Sequence, residues 1–190
     1  MDNVIGGAAD YNAASASLGW HSLCDVTLAF IHPELVRVHE LWQSEAGEGG
    51  IPLRRVMSPR LLKSFLRDVA LYERLTGDDG KRHYRVRLIG TAFAQIVGDM
   101  TGKLIEESIA AEFVPRWHAS LDATLGHAAP LRFLAREDTK GMTFLTGEFF
   151  AAPLLSDDGQ MNLVLAAARF SGKRPWDEVD AEARRDLGIE

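Results

Sequence analysis

The chain is short of the features that would declare a chemistry. It holds one cysteine, Cys24, in 190 residues. No disulfide can form within it, and a reducing compartment is its natural setting. It has no excess of positive charge: 21 Lys and Arg stand against 27 Asp and Glu, a formal net charge of −6. That balance argues against non-specific binding to nucleic acid. No apolar run approaches the ~20 residues needed to cross a bilayer. The opening Met1-Asp2-Asn3-Val4 lacks the basic start of a secretion signal. The expectation is a cytoplasmic protein with neither membrane nor nucleic acid as partner.

Other absences narrow the chemistry further. The Gly-rich stretch Gly47-Glu48-Gly49-Gly50 follows no strand and precedes no Lys-Ser/Thr, so it reads as a turn and not a phosphate loop. His21, His32 and His39 are scattered without metal-ligand spacing, and no metal site is expected. No Ser-His-Asp or Cys-His arrangement is legible. His118 and Asp122, four residues apart, read as a helix-surface pair. No catalytic residue is expected, and the chain reads as a non-enzyme.

What is present is a change of period along one domain. Apolar residues make up 46% and charged residues 25%, ordinary values for a globular chain. A chain of this length buries roughly 70% of its unfolded surface and needs no staple. Residues 1–31 read as an N-terminal extension of low order, 32–172 as the folded domain, and 173–190 as a charged tail carrying an amphipathic helix at Asp177–Leu187. A helix is predicted over 33–45, with Pro33 in its first turn and Leu35, Val38, Leu41 and Trp42 on one face. A second is predicted over 58–69, with Ser58 as cap, Pro59 at the first position and Leu61, Leu62, Phe65, Leu66 and Val69 as its arc.

The period then falls from 3.6 to 2. Residues 70–76 and 82–89 read as strands joined by the turn Gly77-Asp78-Asp79-Gly80. In the second, Tyr84, Val86 and Leu88 share one side, and Arg85 and Arg87 the other. Short helices follow at 91–97 and near 103–109, then a longer one at 112–125. Strands at 130–136, 142–155 and 160–170 complete the pattern. The implied fold is α+β: a five-stranded antiparallel sheet with helices on one face and the N-terminal helices flanking it. Met161 to Ala168 is apolar at nearly every position, as a strand buried on both faces must be. The middle helices cover one face. The N-terminal helices, a second subunit, or both must cover the other, so a homodimer is expected.

Five segments carry a resemblance: Leu41-Trp42; Ile51-Pro52-Leu53-Arg54; Pro59 with Leu61-Leu62; Tyr84-Arg85-Val86-Arg87-Leu88-Ile89-Gly90-Thr91; and Gly98-Asp99-Met100-Thr101-Gly102. Together, over about residues 38–172, they resemble small stand-alone bacterial PAS-domain proteins. The resemblance implies a cytoplasmic sensory or protein-interaction module with a small ligand, a signalling partner, or both. It carries over no binding residues. Physically, the glycines of these motifs read as scaffold: Gly90 ends a strand where a side chain would clash, Thr91 caps the next helix, and Asp99 caps the following reversal.

In such a fold the pocket lies between the sheet and the middle helices. The expected lining is Tyr84, Val86, Leu88, Phe93, Ile96, Trp117, Leu121, Phe133, Leu145 and Phe149, with Gly147 leaving room. The polar candidates are Thr91, His118 and His127. The same apolar residues also read as ordinary core. Cysteinyl-flavin photochemistry is excluded because Cys24 lies well before the first predicted strand. Haem is disfavoured because neither His118 nor His127 sits in a ligand motif. Arg85 and Arg87, with Arg54 and Arg55, read as a surface neutralised by Glu73 and Glu148. The alternative architecture is a nuclear-transport-factor-like α+β cone, an enzyme or carrier of a small apolar molecule, holding His118 and Asp122 in a deep pocket.

Overall fold

The computed structural model describes residues 5–47, 50–78, 80–137, 145–172 and 174–188. The elements run α1 (Ala8–Leu18), β1 (Ser22–Asp25), α2 (Pro33–Ala46), β2 (Val69–Thr76), β3 (Arg82–Ile89), α3 (Thr91–Val97), a 3-10 turn at Ile105–Glu107, α4 (Val114–His127), β4 (Leu131–Glu137), β5 (Leu145–Leu155), β6 (Met161–Gly172) and α5 (Trp176–Leu187). The predicted strand positions 142–144 and turn residue Asp79 lie outside the described residues. Among the described residues no helix is long and apolar enough to cross a membrane.

The sheet has six antiparallel strands in the order β1-β4-β5-β6-β2-β3. Five are the predicted ones. The sixth, β1, comes from the stretch expected to be irregular, and it pairs Ser22–Asp25 with Arg132–Ala135. Its four side chains are all buried, and α1 packs beside it. Asn12 fixes the pair, donating from Nδ2 to the Cys24 carbonyl at 2.9 Å and accepting the Cys24 amide at 2.7 Å.

Register explains which residues face where. In β6, Val164, Ala166 and Ala168 join the core on one face, while Leu163, Leu165 and Ala167 join the core on the other. The strand is buried on both sides, as its unbroken apolar run requires. The outer cover is built within the chain. Leu35, Val38 and Trp42 of α2, with Met57 and Leu62 of the following segment, pack against Phe150, Leu154 and Leu165. The Trp42 indole donates to the Pro153 carbonyl at 3.0 Å. At the β1–β4 edge, Trp176 and Ala183 of α5 cover Leu23 and Leu134. A second subunit is therefore not needed to bury this face.

The segment 58–68 is not the predicted helix. It is a run of turns. Ser58 does cap, its Oγ accepting the Leu61 amide at 3.3 Å. Beyond it, i→i+3 bonds such as Phe65 N to Leu62 O and Asp68 N to Phe65 O replace a helical ladder. The end of the segment is tied to other elements: Arg67 O accepts the amides of Ala92 and Phe93, and Asp68 O accepts the amide of Ala168. Tertiary pairing overrides propensity here.

Candidate functional site

Between the inner face of the sheet, α3, α4 and the N-terminal segment lies a half-open cavity of about 70 Å³. The sheet supplies Tyr72, Phe133, Ala135, Phe149, Ala151 and Ala166. Phe93 comes from α3, and Arg116, Trp117, Ser120 and Leu121 from α4. Tyr11 of α1 and Ser22 of β1 complete the lining. The aromatic wall is interlocked: Phe93 lies 6.1 Å from Phe149, Tyr11 meets Phe133 edge-on at 5.0 Å, and Trp117 meets Tyr72 edge-on at 6.0 Å. Gly147 lets this happen, because a Cβ there would lie 2.5 Å from the Phe149 ring.

Five residues expected in the pocket stand around the cavity: Phe93, Trp117, Leu121, Phe133 and Phe149. The others stand elsewhere. Tyr84 and Val86 are fully buried in the same core but do not line the cavity. Ile96 packs against that core from α3. Leu88 packs on the opposite face. A β-bulge causes this: Tyr72 pairs with Val86 but Leu71 pairs with Leu88, so the alternation of β3 shifts at Arg87. Leu145 opens β5, opposite Gly172, away from the cavity. Thr91 is exposed and is the first residue of α3, with Gly90 at the cap position, so the expected side-chain cap is not made. His127 ends α4 and is exposed.

His118 faces a different space, a wider cleft of about 740 Å³ between α1, α4 and β3. There His83 Nδ1 lies 2.9 Å from Glu106 Oε1. His118 Nε2 lies 3.0 Å from the same oxygen, without the alignment of a hydrogen bond. Burial holds His118 below its ordinary value, against the opposing pull of Glu106 and Asp122. Asp122 does not pair with His118. It accepts the Tyr84 hydroxyl at 2.6 Å and lies 3.1 Å from the Arg82 guanidinium. Burial, with Asp122 adding to it, pushes the Tyr84 hydroxyl far up, so it remains a donor. Among the described residues, no group of three His, Cys, Asp or Glu side chains is placed to hold a metal.

Two further expectations are corrected. Glu73 does meet Arg87, at 2.9 Å, but Glu148 lies far from that patch. Glu148 accepts the Ile31 and His32 amides, the His32 ring at 2.6 Å and Arg132 Nε at 2.6 Å. Arg132 also donates to Asp25 at 2.9 Å. Cys24 is not outside the sheet: it sits on β1, opposite Phe133, in the inner-face core. The positional argument against a flavin adduct therefore falls away. Cys24 is nevertheless absent from the cavity wall, and burial pushes its thiol well up, which disfavours the thiolate. The cavity is about half the ~150 Å³ of an engineered cavity that admits benzene, so a flavin or haem does not fit it in this form.

Sequence reasoning missed Tyr11, Ser22, Tyr72, Arg116 and Ser120. For Arg116 and Ser120 a signal existed: they are one turn apart, flanking Trp117 and Leu121. Tyr11 and Ser22 reach the site only through the pairing of β1 with β4, which no local pattern announces.

No curated protein matches the chain. Among solved structures it is similar to an RNA-binding light-oxygen-voltage receptor, with 15% identity, a TM-score of 0.43, and coverage of 75% of this chain and 40% of the receptor's. The chain thus spans less than half that receptor's length. It is also similar to the light-state Aureochrome1 LOV structure, at 14% identity and a TM-score of 0.41, covering 66% of this chain and 97% of that one. A sensory box histidine kinase/response regulator from Burkholderia thailandensis matches at 20% identity and a TM-score of 0.37, covering 67% and 95%. A family model described as a PAS domain matches residues 30–168. That span holds α2 through most of β6, including the five strands β4-β5-β6-β2-β3 and the helices on the inner face, and it excludes a cone fold built around His118 and Asp122: the chain belongs to the PAS-domain family.

Proposed function

We propose that the protein is a cytoplasmic, non-catalytic sensory module that takes a small ligand in its inner-face cavity and passes occupancy to a protein partner. The observation that supports this best is the cavity itself. It is apolar over most of its wall, yet four polar side chains converge on it, the usual composition of a small-molecule site. A bland packing defect needs no guanidinium and three hydroxyls. The non-catalytic part is supported by the setting of those hydroxyls. Tyr11 and Ser22 bond each other at 2.5 Å, Ser120 donates to the Trp117 carbonyl at 2.8 Å, and no histidine lines the cavity.

The test fills the space. Ala166→Val adds bulk to the floor while leaving the polar groups alone. Wild type should show excess native mass from a retained ligand, or a saturable change in tryptophan emission across a panel of small organic molecules. The filled variant should show neither. If wild type is inert to the whole panel and Ala166→Val only raises its melting temperature, the cavity is a packing defect and the reading fails. Self-association is a separate part of the proposal. With the outer face covered in cis, a homodimer must use exposed apolar positions such as Leu18 and Ile31. Light scattering at micromolar concentration decides it; a strict monomer removes the dimer and leaves the ligand reading standing.

A further inference from the structure

The four polar side chains of the cavity wall are engaged within the protein. The Tyr11 and Ser22 hydroxyls bond each other, and the Ser120 hydroxyl donates to the Trp117 carbonyl. Arg116 donates from Nη1 to the Arg136 carbonyl at 3.1 Å, and its Cζ lies 5.7 Å from the centre of the Phe113 ring. Neither Arg136 nor Phe113 lines the cavity. Among the described residues, the buried side-chain atoms left without a hydrogen bond belong to Asp68, Glu106, His118 and Asn162, and none of these lines it either. Among the described residues the wall holds no carboxylate and no imidazole. The rest of it is ring and hydrocarbon: Phe93, Trp117, Leu121, Phe133 and Phe149 stand there with Tyr72 and three alanines of the sheet.

Such a wall selects a ligand by what it withholds. An anion would have to draw the Arg116 guanidinium off the Arg136 carbonyl and the Phe113 ring. A cation would meet that guanidinium with no carboxylate in the wall to balance it. A hydrogen-bonding ligand would leave its own polar group unpaired or break a bond already made. A neutral apolar molecule pays neither cost, and it supplies the contacts that lining atoms lack beside an empty space. Water is a weak competitor, because holding it takes about two to four polar partners. The volume of about 70 Å³ sets the size. Resting on the sensory reading above, we infer that the cavity takes an uncharged apolar molecule of about three or four heavy atoms, a short hydrocarbon or halocarbon in chemical class. It is held by contact with the aromatic wall and by no hydrogen bond. The lining belongs to α1, β1, α3, α4 and the strands of the inner face, so occupancy stabilises the folded chain as a whole.

The experiment is titration of the full chain with dichloromethane, followed by amide and methyl NMR shifts and by melting temperature. Acetate, ethylammonium and ethanol serve as charged and hydrogen-bonding probes of similar size, and benzene as an oversized one. Dichloromethane should bind saturably with a dissociation constant on the order of 1 mM. It should shift the signals of Phe93, Leu121 and Phe149 and raise the melting temperature. The two ions, ethanol and benzene should each bind about tenfold more weakly or less. Ser120→Ala removes a lining hydroxyl and should leave the dichloromethane constant within about twofold, since no hydrogen bond is used. Ala166→Val and, from the strand beside it, Ala151→Val fill the space, and each should weaken dichloromethane about tenfold or more. Unchanged binding in both filled variants would put the probe outside the cavity and overturn the assignment. Acetate, ethylammonium or ethanol binding as tightly as dichloromethane would overturn the apolar class while the pocket reading survives. Benzene binding as tightly would overturn the size. If none of the probes binds and the wider panel is also silent, both readings are wrong.

Discussion

Two residues show how little freedom the scaffold allows. Gly90 has φ −72, a value any residue adopts, so it is required for space and not for conformation. A Cβ there would lie 2.1 Å from the Leu66 carbonyl oxygen and 2.4 Å from the Arg67 carbonyl carbon. Those atoms are backbone and cannot rotate away. Gly90→Ala should therefore cost about 3 kcal/mol, read as a fall in denaturation midpoint without a change of slope. Arg132 is the second. It holds two buried carboxylates, Asp25 and Glu148, at 2.9 and 2.6 Å. Removing it leaves both charges in the interior, so Arg132→Met should cost about 3–5 kcal/mol. The pH dependence has a definite sign. Burial alone would raise the Glu148 carboxyl, but the Ile31 and His32 amides, the His32 ring and Arg132 together hold it below its ordinary value. A carboxylate lowered in the folded state stabilises above its unfolded value, and that stability disappears as pH falls through the folded value. Melting temperature should thus drop below about pH 4.3 more steeply in wild type than in Glu148→Gln. Equal acid slopes would show that Glu148 is not linked to folding.

At the scale of elements, periodicity made α2 to α5 and β2 to β6 legible in sequence, but an equally clean period over 58–69 did not become a helix, and α1 and β1 carried no such signal. Trp42 with Val38 and Leu35 announced α2, and alternation announced β3 up to its bulge. The motif Gly98-Asp99-Met100-Thr101-Gly102 was read as a reversal, but its use is larger. It delivers the chain back along the open edge of β3, where Val86 N donates to Lys103 O at 2.9 Å and Gly102 N to Val86 O at 2.7 Å. An edge that would otherwise invite pairing is closed. The opposite edge is held by β1, four residues long. Strands that short open more readily than the centre of a sheet. Cys24 makes this measurable, since it is 1% exposed and its thiol is pushed up by burial. A disulfide reagent should not label it in the closed state. Labelling should proceed at the rate of β1 opening, slow down when the cavity is occupied, and speed up in Tyr11→Ala, which removes the ring that α1 lays on Phe133. Immediate labelling of the native protein would show that β1 is not held as described.

For the whole molecule, the organising fact is a sheet buried on both faces by one chain. Val164 and Leu165 are neighbours in β6, at 0% and 2% exposure, and they belong to different cores. In a half-solvated strand one of two neighbours tolerates truncation. Here Val164→Ala and Leu165→Ala should each cost about 2 kcal/mol or more, and a neutral result at Leu165 would mean that α2 does not cover the sheet in solution. The sequence by itself determined the five strands β2 to β6, the helices α2 to α5 and the two-faced character of β6, because each is a periodic pattern carried by neighbouring residues. It also determined the aromatic half of the cavity, since Phe93, Trp117, Leu121, Phe133 and Phe149 lie on faces that periodicity defines. Only the tertiary structure decided the rest. The segment 58–68 forms turns where a helix was expected, and its end is bound to the start of α3 and to β6. Leu88 crosses to the outer face because one bulge reverses the alternation. Tyr11 and Ser22 line the cavity because β1, which no pattern marks, pairs with β4 and brings the neighbouring α1 with it. Those contacts join residues about a hundred positions apart, and their energy appears only once the sheet has closed.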